Sequence, residues 1–140
     1  IALLLSAFII PIFSALRLAK FNIDTRQTSS FIGVPTPANA MFWASFPLIL
    51  FFGDYPTIEL WLSNPIVIII TIVFTSLLLV SEIPMFALKV KNLKWSDNKV
   101  IYLFLITLLI LAILIKWLVI PMILIVYLLF SLINNWIVKK

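Results

Sequence analysis

The chain has 140 residues, 64% of them hydrophobic and only 11% charged, with a net charge of +5 and neither Cys nor His. Soluble domains are roughly half apolar and about a quarter charged, so this composition indicates an integral membrane protein and excludes a disordered or collagen-like chain. Without thiols or imidazoles there are no disulfides, Cys or His zinc sites, thiol nucleophiles or imidazole bases. Chemistry is left to five carboxylates, the lysines and arginines, hydroxyls and backbone.

A helix crossing about 30 Å of hydrocarbon needs roughly 20 apolar residues. Five segments approach that length, so an all-α protein with five transmembrane helices is expected. The first covers about residues 1–21, with a kink at Pro11. The second covers about 37–52, with Pro37 suited to a first helical turn and Pro47 inside. The third covers about 65–88 and carries Glu82 and Pro84 near its end. The apolar run from Val100 to Val138 is too long for one straight crossing at about 1.5 Å per residue. Lys116, Trp117 and Pro121 are therefore expected to mark a turn between helices at about 99–115 and 118–138.

Charge orients these segments. The first connection carries Arg17, Lys20 and Arg26; the next, GDYPTIELWLSN, has only Asp54 and Glu59 and reads as a solvated outer loop. Then come Lys89, Lys91, Lys94 and Lys99, the lone Lys116, and Lys139 with Lys140. This alternation puts residues 22–36, 89–99 and the C-terminus in the cytoplasm by the positive-inside rule. Scattered at segment ends, the basic residues indicate topology and not nucleic-acid binding. Ile1 then lies at the outer face, inside an apolar segment, and the chain is expected to continue upstream by an odd number of spans.

One constellation could carry chemistry. Ser14, Arg17 and Lys20 share a helical flank, followed by Asn22 and Asp24 and by the turn Gly33-Val34-Pro35-Thr36-Pro37. Two readings stand side by side: cations snorkelling to the interface, or a cationic pocket for phosphate or carboxylate. Asp97, before Asn98, is a candidate cap for the fourth helix, and Glu82 an interfacial carboxylate near Lys89.

The string LRLAKFNIDTRQTSSFIGVPTPANA, Leu16 to Ala40, resembles the L-R-L-[AS]-[RK]-F-N and F-x-G-[LMV]-P-x-P segments of CDP-diacylglycerol–serine O-phosphatidyltransferases, the bacterial phosphatidylserine synthases. These belong to the CDP-alcohol phosphatidyltransferase superfamily. The second span and the third, with VSEIPMF, fit the family layout more loosely, and the last two spans look like an extension found in some members.

The resemblance implies a bacterial inner-membrane enzyme of phospholipid biosynthesis that transfers phosphatidyl from CDP-diacylglycerol to L-serine, giving phosphatidylserine and CMP. It implies a divalent metal, Mg or Mn, held by a D-x-x-D-G-x-x-A-R-x8-G-x-x-x-D-x-x-x-D motif, and a homodimer. That motif is absent here, so no catalytic or metal residue is assigned in this chain. Residues 1–140 are expected to be the C-terminal part of one membrane domain, inactive alone, with the catalytic spans upstream. Arg17, Lys20 and Asn22 match the segment that distinguishes serine enzymes and are the implied substrate-binding residues. Gly33, Pro35 and Pro37 are the implied cavity-shaping turn. The rival readings are a non-enzymatic transporter half or assembly subunit, and a relative using glycerol phosphate or inositol phosphate.

Overall fold

The computed structural model describes residues 1–25, 31–88, 90 and 92–138. Its helices are α1 (Ala2–Ala7), α2 (Ile9–Ile23), α3 (Thr36–Phe52), α4 (Pro56–Ser63), α5 (Pro65–Val80), α6 (Lys99–Ile115) and α7 (Val119–Val138). Two short strands, β1 (Phe31–Ile32) and β2 (Pro84–Met85), pair antiparallel with Phe31 opposite Met85 and Ile32 opposite Pro84. Among the described residues the fold is all-α apart from this small ladder.

Two stretches are long and apolar enough to cross a membrane, Ala2–Ile23 and Lys99–Ile137; a third counts if the bent pair α4–α5 is one span. These helices suggest a membrane association. The long run Lys99–Ile137 is no straight rod. Phe104 packs against both Tyr127 and Phe130, at ring-centroid distances of 5.9 and 5.8 Å, so α7 folds back antiparallel along α6. The reversal falls at Lys116, as expected, where the backbone takes φ 48° and ψ −119°. A lysine pays for that left-handed backbone in strain that glycine would not carry.

Proline explains most of the other boundaries. Pro11 has no N–H for the Ala7 carbonyl, and its ring crowds that turn, so the first helix breaks at Phe8 and resumes as α2. Pro37 lies in the first turn of α3, and Pro47 is accommodated without ending that helix. Asn64, extended before Pro65, separates α4 from α5 at an 88° bend. Its side-chain Oδ1 then accepts from the N–H groups of Ile66 and Val67, at 3.0 and 3.4 Å, capping α5. The Asp54–Glu59 connection is therefore partly helical and not wholly loop, although both carboxylates are exposed.

The third segment is the largest departure from expectation. Helix α5 stops at Val80, not near Leu88, because Pro84 disfavours helical geometry at Ile83 and cannot donate within a helix. The chain runs extended from Ser81 and pairs with β1. Asp97 does not cap the next helix: Asn98 occupies the N-cap of α6, without a side-chain cap bond. Asp97 instead accepts from Asn92 Nδ2 at 2.6 Å and from Ser96 Oγ at 2.9 Å.

Helix α2 packs along α5 and α3 along α7. Trp43 of α3 donates from Nε1 to Thr75 Oγ1 of α5 at 3.2 Å, and Val34 N–H just before α3 donates to Leu78 O at 3.0 Å, so α3 and α5 run antiparallel. Phe52 stacks on Trp117 at 4.8 Å, setting α3 antiparallel to α7. The core joins Phe42, Phe46 and Ile49 of α3, Phe86, Phe104 of α6, and Leu124 and Tyr127 of α7. In lipid such packing is held by close van der Waals contact more than by water exclusion.

Two backbone positions make opposite predictions. Gly33 has φ +77°, and an added Cβ would lie 2.5 Å from Leu79 O, so Gly33→Ala should cost roughly 1–3 kcal/mol. Lys116→Gly should instead raise stability by about 1 kcal/mol by relieving its positive φ. Denaturant unfolding of the detergent-solubilised chain measures both; a neutral Gly33→Ala would contradict the close docking of the turn.

Candidate anion-binding cleft

Arg17 and Lys20 lie one turn apart on α2 and line one small cleft with Asp24, Ile32, Leu79, Val80 and Ser81. Its volume, about 10 Å³, admits about one water molecule. The wall opposite α2 is the C-terminal end of α5, whose last carbonyls have no partner within the helix. Three groups reach them. Val34 N–H donates to Leu78 O, Ser81 Oγ donates to the same oxygen at 2.8 Å, and Lys20 Nζ donates to Val80 O at 3.1 Å. A lysine at a helix C-terminus is favoured both by these free carbonyls and by the helix dipole.

Lys20 Nζ also donates to Glu82 Oε1 at 3.0 Å. Glu82 thus meets Lys20; Lys89, the neighbour expected for it, lies outside the described residues. Both side chains are well exposed, at 44% and 62%, and screening by water keeps such a pair weak.

Arg17 is different. Its Nε and Nη2 are buried and have no hydrogen-bond partner among the described residues. Leaving a buried donor unsatisfied costs about 1–3 kcal/mol, more for a charged group. The guanidinium is therefore poised to meet an acceptor, and its planar fork suits the paired oxygens of phosphate or carboxylate.

The implied site residues divide accordingly. Arg17 and Lys20 are brought together; Asn22, two residues on, is exposed and does not line the cleft. Gly33 is buried, not at the cleft surface, and holds the turn by donating its N–H to Ile83 O at 2.8 Å. Pro35 is the N-cap of α3 and Pro37 belongs to its first turn. These three shape the wall indirectly, by fixing Ile32 beside the cations. Arg26 and residues 27–30 of the same connection, Lys91, Lys139 and Lys140 lie outside the described residues, as does much of the basic character assigned to the cytoplasmic loops.

Sequence reasoning passed over the other half of the wall. Leu79, Val80 and Ser81 were read as mid-helix, and the signal that they end a helix was Pro84. It also passed over Tyr127, Ser131 and Asn135, which hold the strand beyond the cleft; their signal is three polar residues at four-residue steps on one face of a mainly apolar helix. For the implied divalent metal, no group of three or more His, Cys, Asp or Glu side chains able to hold an ion occurs among the described residues. The donor set here does not fit one.

A double-mutant cycle on Lys20→Met and Glu82→Gln should give a coupling of less than about 1 kcal/mol in denaturant unfolding, as for other exposed pairs. A coupling of several kcal/mol would mean that the pair is shielded and structural.

No protein-family model matches the chain, and no curated protein matches it.

Proposed function

We propose that this chain is the alcohol-binding portion of a membrane phosphatidyltransferase that makes phosphatidylserine and CMP from CDP-diacylglycerol and L-serine. The observation that carries the proposal is the Arg17 guanidinium, with two buried donors unpartnered beside a second cation on the helix whose sequence reads RLAKFN. The resemblance across Leu16–Ala40 supplies the reaction. Five crossings in a bacterial inner membrane, with the cleft at the cytoplasmic face, belong to the same proposal. The alternating directions of α3, α5, α6 and α7 support it.

In the reaction, the serine hydroxyl oxygen bonds to the phosphorus that carries diacylglycerol. The bond from that phosphorus to the CMP oxygen breaks, and the hydroxyl proton passes to a base outside this chain. Phosphoryl transfer of this kind depends chiefly on positioning and on charge stabilisation. Arg17 would donate from Nε and Nη2 to the transferred phosphate or to serine's carboxylate. Lys20 would add charge once its contact with Glu82 loosens, and Asn22 would orient serine from the mouth. The cleft must widen for either ligand, which accords with a portion that is inactive alone.

Arg17→Met tests the role in the complete gene product. The substitution removes buried unpaired charge, so stability should stay level or rise. Serine-dependent release of CMP from CDP-diacylglycerol should fall at least about 100-fold, on the order of losing one preorganised charged donor. Arg17→Lys should recover little, because an ammonium cannot reproduce the fork. Full activity in Arg17→Met refutes the pocket role. Wild-type membranes with no serine-dependent CMP release would favour a non-enzymatic transporter or assembly protein.

A further inference from the structure

Helix α7 carries three polar side chains at four-residue steps on one face, Tyr127, Ser131 and Asn135; Asn134 is its other polar residue. All three end on the backbone of a single short segment. Tyr127 Oη donates to Phe86 O at 2.7 Å, Ser131 Oγ accepts from Phe86 N–H at 3.4 Å, and Asn135 Nδ2 donates to Pro84 O at 2.6 Å. Tyr127 and Ser131 are 3% and 0% exposed, so their two bonds to Phe86 are interior, whereas the Asn135 bond lies at the surface.

The segment so held is the one from which the cleft is hung. On its other edge, Pro84 and Met85 pair with Ile32 and Phe31, Ile83 O accepts from Gly33 N–H, and Glu82 holds Lys20. Ser81 and Ile32 line the cleft itself. A series of hydrogen bonds therefore runs from α7 through residues 82–86 to the Gly33 turn and to Lys20 of α2, one turn from Arg17. Apolar contacts alone would let this extended segment slide along α7; three directional bonds at alternating donors and acceptors fix its register.

We propose that the Tyr127–Ser131–Asn135 stripe is a positioning device for the cation cleft, which gives the α6–α7 hairpin a functional task. Its kinetic consequence rests on the proposed serine transfer; its structural consequence does not. The stripe acts through residues 82–86 and touches no substrate.

Hydrogen–deuterium exchange of the complete protein in lipid nanodiscs separates the two. In Tyr127→Phe/Asn135→Leu, amide exchange across residues 31–34 should quicken at least tenfold, with the core of α3 unchanged. The serine KM should rise at least fivefold with kcat held within twofold, and Ser131→Thr should behave as wild type. If the double variant does not fold, Tyr127→Phe alone removes one hydroxyl, keeps the ring, and should quicken the same exchange about threefold. Unchanged exchange at 31–34, or equal loosening of α3 and α7, overturns the brace. Local quickening with no serine-dependent transfer by the wild-type protein upholds the brace and removes the reading of the cleft as a serine site.

Discussion

Everything around the cleft depends on satisfying the backbone of residues 81–86. A stretch of non-helical chain in a membrane protein must find partners for its N–H and C=O groups within the protein. Pro84 makes that requirement unavoidable, since it ends α5 after 16 residues and forbids helix at Ile83. The partners come from two directions, β1 and Gly33 on one edge and α7 on the other, while Lys20 meets the adjoining Val80 O at the end of α5. Gly33 is the residue that permits this. Only a residue without Cβ can approach Leu79 O so closely at φ +77°. The FIGVP and SEIPM strings, fifty residues apart in the chain, are thus the two sides of one structural element.

That element explains how an apolar bundle presents an arginine with open donors. Lipid-facing helices gain little from burial against each other, so their relative placement relies on close packing and a few polar bonds. Here those bonds are concentrated at one end: Lys20 to α5, Val34 to Leu78, and the α7 stripe to residues 84–86. The opposite end is closed by aromatic packing, Phe52 on Trp117 and Phe46 on Trp61. Polar order at one face and apolar order at the other leave Arg17 at the ordered polar face. Neighbouring backbone already satisfies its own partners there and offers the guanidinium's Nε and Nη2 none.

Much of this was readable from residue order, and the exceptions have physical causes. The apolar character, the α3, α6 and α7 limits and the turn at Lys116 follow from apolar run length, because Lys116 is the one charge in the interior of a long apolar stretch. The pairing of Arg17 with Lys20 followed from their three-residue spacing. The early end of α5 was missed because a hydropathy run continues through Ile83 and beyond, whereas the backbone responds to Pro84. The Lys20–Glu82 contact and the α7 stripe were missed for a different reason. Both join residues far apart in the chain, and periodicity within one segment says nothing about what a face meets.

The charges at the cleft also decide which cation matters more. Arg17 and Lys20 face Asp24 at the mouth and Glu82 beside it, so among the described residues the cluster holds two charges of each sign. The α5 C-terminus adds the negative end of a helix dipole. A bare anion approaching this group meets no large positive field, and long-range attraction contributes little. Affinity must then come from short directional bonds. Lys20 has already committed donors to Val80 O and Glu82, and spending them on a ligand breaks existing contacts. Arg17 breaks none of its own by using Nε and Nη2, since those donors are idle. Of two cations one helical turn apart, the arginine is the one with donors open to a ligand, and the lysine is chiefly the clasp that holds α2 against α5.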